Sequence, residues 1–322
     1  MADPKTEKNL QEFVEQSELT QNQSTPQNNN QVGAPLSDTL GARMPQHRTD
    51  DLISLGNQIG WQKIPIKDLP TMGLFYPDGT EILIRAANGG EIRHWSTLND
   101  ADLSTLDDML NYVIERCVIF KTTGPYSSWK DIKEVDRFYL ILAIREYTFV
   151  KGENKLQVKV SETKKVDVVK DMISYITLTP DILRFHSEED KCFVLPFSSG
   201  KSMKVDIPSI GVTNWLKTYM QRKQQKQEPI DSDFMNYAPF VIRDWRGLND
   251  TSYEKYVLDS FNWTTEEISC LTEIKDLFRE TVDPVIRYTD DGGMEHTAPI
   301  NFLGGIKSIF IIQGALQKLG KN

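Results

Sequence analysis

The sequence predicts an α+β fold: small antiparallel β elements beside helical bundles, with a disordered polar tail at the N-terminus. Three observations carry this. TEILIRAA, residues 80–87, is expected to alternate its faces between turn-rich flanks and reads as a short strand. LSTLDDMLNYVIERCVIF and DIKEVDRFYLILAIREYTF, residues 103–120 and 131–149, repeat apolar residues at helical spacing. Hairpin-like strand pairs mix with these helices without the strand–helix–strand rhythm of a parallel sheet.

Residues 1–58 read as a disordered tail. QNQSTPQNNNQ cannot bury enough apolar surface to offset its ordering entropy. The preceding LQEFVEQSEL carries Leu10, Phe13, Val14 and Leu19 and reads as a solvated arm or a segment that docks on a partner. WQKIPIKDLP is expected to be extended, because each proline pushes its predecessor out of the helical region. LPTMGLFYPDG, residues 69–79, surrounds an aromatic pair with turn residues. Pro70, Gly73, Pro77 and Gly79 should set tight turns there, with Phe75 and Tyr76 pinning the loop to a core. Asn-Gly-Gly at 88–90 reads as further turn chemistry.

In the first helical segment Leu103, Leu106, Leu110, Val113, Ile114, Cys117 and Val118 form the apolar stripe. In the second, Ile132, Val135, Phe138, Tyr139, Leu142 and Tyr147 line one face, and Ile141 and Ile144 widen it. A stripe that wide predicts packing on more than one side. KLQVKVSETKKVDVVK and KCFVLPFSSGKSMKVDIP each read as two strands around a polar turn. VTNWLKTYMQRKQQKQEP reads as a helix whose basic end complements its dipole. Beyond residue 230 the chain is mostly helical, with Pro239 interrupting one segment. Thr264 and Glu267 form a capping box ahead of Ile268, Leu271, Ile274 and Phe278. VIRYTDDGGMEHTAPI is a hairpin, and NFLGGIKSIFIIQGALQKL is expected to close the chain as an apolar helix.

A length of 322 residues suggests about two domains. A net charge of −9 argues against broad binding to phosphate backbones, which needs clustered Lys and Arg. Cys117, Cys192 and Cys270 are sparse and odd in number, which suits a reducing compartment. No signal-peptide pattern and no run of roughly 18–20 apolar residues is present, so no membrane span is expected.

The chemistry-bearing motifs are weak. SSGKS at 198–202 resembles the end of a phosphate-binding loop, but Leu195 stands where such a loop needs its first glycine. The segment lies between two expected strands, so a hairpin turn is the simpler reading. His47, His94, His186 and His296 show no metal-ligand spacing. Cys117 and Cys270 sit inside helical stripes and Cys192 on a strand, none a nucleophile's setting. The carboxylates of DLSTLDD are expected to start a helix and offset its dipole. The residues therefore predict no catalytic, cofactor or metal site and no nucleic-acid partner.

The order LPTMGLFYPDGTEILIR, LNDAD, LDDMLNYVIERCV and DIKEVDRFYLILAIREYTF resembles the baseplate hub subunits and hub-assembly proteins of T-even-type contractile-tailed bacteriophages. That family's pattern is Leu-Pro-Ser-x-Gly-x-x-Tyr-Pro, a β element with a trailing Arg, a helix ending near a Cys, and an Asp-Arg helix ending in Tyr. The matching positions are Leu69, Pro70, Gly73, Tyr76, Pro77, Gly79, Arg85, Cys117, Asp136, Arg137, Arg145 and Tyr147. The resemblance covers residues 66–150, and FMNYAPFVIRDWR more weakly. Relatives carry Cys-x-x-Cys pairs in two hairpins; the corresponding stretches here, VKVSETKKVDVV and VIRYTDDGGMEH, hold no cysteine.

The resemblance implies a non-enzymatic tail protein acting by protein–protein binding, as a structural or assembly component of the hub. Its partners would be other hub or tail proteins, with self-association open. It would work in the host cytoplasm during assembly and in the virion if retained. Alternatives are a transient assembly chaperone and a nucleotide-binding protein acting through SSGKS. The expected organisation is a tail over 1–58, a hub-family β/helical domain over 59–150, a hairpin-and-helix region over 151–230, and a mainly helical region over 231–322 with a hairpin at 284–300.

Overall fold

The computed structural model describes residues 60–99, 103–124, 127–149, 155–161, 164–174, 178–282 and 285–311, all within one unit, Gln46–Asn322. The tail and its LQEFVEQSEL segment lie outside the described residues. The architecture is α+β, as the patterning predicts, with small antiparallel sheets among helices.

Strand β1 (Trp61–Ile64) pairs with β2 (Glu81–Arg85), Trp61 opposite Arg85 and Ile64 opposite Ile82. WQKIPIKDLP, which opens with β1, is extended only in part, since Ile66–Asp68 winds into a 3-10 turn. Helix α1 (Gly89–Ser96) follows, and this was not legible as a helix. Asn88 is its N-cap: the side chain accepts from Gly90 N at 2.9 Å and Glu91 N at 3.1 Å. Glu91 accepts from Asn88 N at 2.6 Å, which completes a capping box. The turn letters Asn-Gly-Gly thus open a helix.

Helix α2 (Leu103–Cys117) passes without a loop into β3 (Val118–Lys121). Val118, expected on the helical stripe, instead pairs with Ile84 as β3 closes the sheet in the order β1-β2-β3. The expected alternation does not hold in central β2, which buries Ile82, Leu83 and Ile84 in succession because both its faces are covered. Helix α3 (Glu134–Thr148) starts after Ile132, which is buried but precedes the helix. Leu140, Ile141, Leu142, Ala143 and Ile144 are all buried, so the wide stripe does report packing on more than one side.

The hairpin of β4 (Gln157–Lys159) and β5 (Lys165–Asp167) forms as expected. After β6 (Ile173–Ser174) and a short α4 (Pro180–Leu183) come β7 (His186–Ser187), β8 (Cys192–Pro196) and β9 (Ser202–Val205), one antiparallel sheet in that order. Helix α5 (Ile210–Gln225) is capped by Ser209. Pro239 does not break a helix; it sits in the first turn of α7 (Ala238–Val241), after α6 (Ser232–Met235), where a missing N–H costs nothing. Helices α8 (Asp250–Ser260) and α9 (Thr265–Val282) follow, the latter with the expected Thr264–Glu267 capping box. In α9 Leu271, Ile274 and Phe278 are buried, whereas Ile268 faces outward.

Strands β10 (Val285–Thr289) and β11 (Glu295–Pro299) form the last hairpin, and β10 also pairs with β6. The expected closing helix is corrected over its described part. Residues 301–305 are irregular, and only Ile306–Ile309 winds, as a 3-10 turn.

Three apolar clusters result. The first joins the β1-β2-β3 sheet, α2 and α3 with Val158, Ile286, Phe302 and Phe310. The second packs β8 and β9 against α9. The third lies among α5, α6 and α8.

Candidate functional site

The stretch from Leu69 to Thr80 is a wound loop between β1 and β2. Leu69 is extended (φ −71°, ψ 154°), as a residue before proline must be. Met72 and Gly73 are both left-handed, at φ 54° and 76°. A side chain at Gly73 would also meet Ile66 at 3.1 Å. Gly79 has φ 75°, and a Cβ there would stand 2.8 Å from Thr123. Pro77 is exposed, but its carbonyl accepts the Thr80 hydroxyl at 2.6 Å and so closes the turn.

This winding sends two adjacent aromatic rings in different directions. Phe75 enters the second cluster, edge-on to His186 at 5.2 Å and to Phe193 at 5.1 Å. Tyr76 enters the first, beside Phe120. Its hydroxyl donates to Asp136 at 2.6 Å and accepts from Lys133 N at 2.9 Å. The Asp136 carboxylate also accepts from Thr71 N at 3.0 Å and from the Thr71 hydroxyl at 2.7 Å. Three neutral donors thus hold one buried carboxylate. Burial outweighs them and pushes the Asp136 carboxyl up to about 6. Burial, and then the neighbouring Asp136, raise the Tyr76 phenol well above its ordinary value. Lys133 sends its Nζ 2.8 Å to Asp206, a second buried pair, with Arg243 Nε 3.6 Å from the other Asp206 oxygen.

The remaining signature residues are placed elsewhere. Arg85 forms a two-point pair with Glu91, at 2.6 and 3.1 Å, and so ties β2 to the N-terminus of α1. Arg137 faces α2, bonded to Asp107 at 2.6 Å and Asn111 at 2.8 Å. Arg145 is buried with its guanidinium 5.4 Å from the Phe149 ring, and burial lowers its pKa. Tyr147 packs half-buried on the first cluster, and Leu69 lies within it. Cys117 is fully buried, and burial lifts its thiol to about 12. The structure brings Leu69, Pro70, Gly73, Tyr76, Pro77 and Gly79 together in one loop bonded to Asp136; the arginines act at separate points.

Two further features bear on chemistry. SSGKS is the turn of the β8–β9 hairpin, with Phe197 N donating to Lys201 O at 2.9 Å and Gly200 at φ 78°. Glu266 accepts from Ser198 N at 3.2 Å and from its hydroxyl, so a carboxylate occupies donors that an anion would need. A polar cleft of about 470 Å³ lies between α2 and α5, with Asn111, Tyr112, Trp129, Lys130, Asn214 and Lys217 in its wall. Asp107 and Asp108, expected to begin a helix, lie in the second turn of α2 and hold Lys217 at 3.2 and 2.7 Å. No cluster of His, Cys, Asp or Glu suited to a metal occurs among the described residues.

Sequence reasoning missed Thr71, Lys133 and Asp206. No local pattern marks them, since their partners lie 65, 57 and 73 residues away. No family model, no curated protein and no solved structure matches this chain.

Proposed function

We propose that this chain acts by protein–protein binding, as a structural or assembly component of the baseplate hub of a contractile-tailed phage. The reading rests first on the resemblance of residues 66–150. The observation that carries it further is how the signature residues are used. Leu69, Gly73, Tyr76, Gly79 and Asp136 fix the shape of one loop, while Arg85 and Arg137 brace elements around it. Residues used for shape suit a protein whose surfaces must meet partners in one register. Strand β1 offers one such surface: it is an edge of its sheet, with Gln62 and Lys63 exposed.

The test is loss of the gene product from an infecting phage. Particles made without this chain should lack complete baseplates by electron microscopy. Complete, infectious tails in its absence would remove the reading. Mass spectrometry of purified wild-type virions separates a resident subunit from a chaperone that departs.

A further inference from the structure

Eight large apolar side chains are exposed among the described residues, and four of them, Tyr256, Leu258, Phe261 and Ile268, fall between positions 256 and 268. Leu258 is 64% exposed and Phe261 72%. They stand three positions apart, and Phe261 keeps helical backbone at the end of α8, so they share a face. A different face of α8 is held firmly: Tyr253 is buried, with its ring 4.5 Å from Tyr219 and 5.6 Å from Phe234. The exposed pair is therefore displayed on a fixed support. Ile268 adds apolar surface in the first turns of α9, the next helix.

The surrounding charge says what fits. Residues 250–266 contain Asp250, Glu254, Asp259, Glu266 and one cation, Lys255. Asp250 is engaged by Arg222, and Glu266 by Ser198. Glu254, one turn before Leu258, and Asp259, next to it in sequence, are exposed and form no ion pair among the described residues, and with Glu266 they outnumber the single exposed Lys255. Two-fold pairing with a second copy would set these carboxylates against themselves. Phosphate backbones and anionic lipid surfaces are repelled for the same reason.

We infer that the end of α8 docks a basic amphipathic helix of a partner protein, whose apolar stripe covers Leu258 and Phe261 and whose Lys or Arg residues face Glu254 and Asp259. The inference names a partner class for the binding function proposed above and rests on that reading. A synthetic probe tests it without reference to phage assembly, so its failure leaves the virion experiments to stand separately.

The probe is a labelled peptide with a leucine stripe and a lysine-rich polar face, titrated with the full chain by fluorescence anisotropy. A matched peptide with glutamates replaces the lysines as control. The lysine peptide should bind, and the glutamate peptide should not. Leu258→Ser with Phe261→Ser should weaken binding about tenfold or more at unchanged melting temperature. Glu254→Lys with Asp259→Lys should weaken it too, and more so at low salt than at high. Equal binding of both peptides, or undiminished binding by the serine variant, overturns the proposal. So does a wild-type dimer in sedimentation that the serine variant dissolves, which would assign the face to a second copy.

Discussion

The loop at residues 69–80 and the hairpin turn at residues 197–202 are composed of similar letters, yet they behave as opposites. Both use glycine at positive φ and small polar residues. In the first, Thr71, Phe75, Tyr76 and Thr80 are buried and the loop is bonded to α3. In the second, Ser198, Ser199, Gly200 and Lys201 are exposed, and the tertiary bonds of Ser198 go to Glu266. Turn chemistry tells where a chain reverses. Whether the reversal is structural glue depends on what the turn's side chains reach.

The contrast can be broken most forcefully at Tyr76. Tyr76→Ala removes a buried ring and two hydrogen bonds, and should cost about 4 kcal/mol in urea unfolding. Tyr76→Phe keeps the ring and should cost about 2 kcal/mol, because Lys133 N and Asp136 each lose a partner. A Tyr76→Phe variant as stable as wild type would show that the hydroxyl network contributes nothing.

Between those two in size is a pH effect. The Asp136 carboxyl at about 6 in the folded state compares with roughly 3.9 in an unfolded chain. The folded state therefore holds the proton more tightly. The resulting stability is fully present below pH ~4 and is lost as pH rises through ~6, a span of about 3 kcal/mol. Asp136→Asn lacks this dependence, so its deficit against wild type should shrink by about that amount between pH ~4 and ~7. Urea titrations across that window measure it. A deficit that grows with pH would mean that the three donors outweigh burial.

The glycines sharpen the comparison at smaller scale. Gly79 and Gly200 have nearly the same φ, 75° and 78°, but a Cβ meets Thr123 at 2.8 Å in the first and nothing within 4 Å in the second. Gly200→Ala should cost about 1 kcal/mol, the backbone penalty alone. Gly79→Ala should cost about 2 kcal/mol, since crowding adds to it. Equal losses would mean that Thr123 yields freely. Smallest of all, Lys201→Ala should leave stability within about 0.5 kcal/mol of wild type in the same assay.

Much of the fold was legible because its signals are local. The period of α3, the hairpins around SSGK and DDGG, and the Thr264–Glu267 box each depend on residues close in sequence. Misreadings arose where one local signal serves two structures. Asn88-Gly89-Gly90 is good turn chemistry and an equally good helix start. Val118 fits the helical stripe, yet the β-branched pair Val118-Ile119 and a place beside β2 draw it into a strand. Asp107 and Asp108 looked like dipole partners, but Lys217 and Arg137 reach them from other helices. The family resemblance picked out Tyr76 and Asp136 individually. It gave no hint that they touch, or that Phe75 and Tyr76 part company, because both facts depend on packing between distant segments.

That parting has a consequence for cooperativity. Neighbouring residues Phe75 and Tyr76 belong to different cores, and on the helix they face Val135 lies in the core of Phe75 while its neighbour Asp136 bonds Tyr76. The two clusters are stitched by paired covalent neighbours on both sides of one seam. Neither can melt while the other stays intact without pulling a buried ring or carboxylate out of its bonded place. The amides of Thr71 and Lys133, locked into that seam, should therefore exchange with solvent only at the rate of whole-body opening.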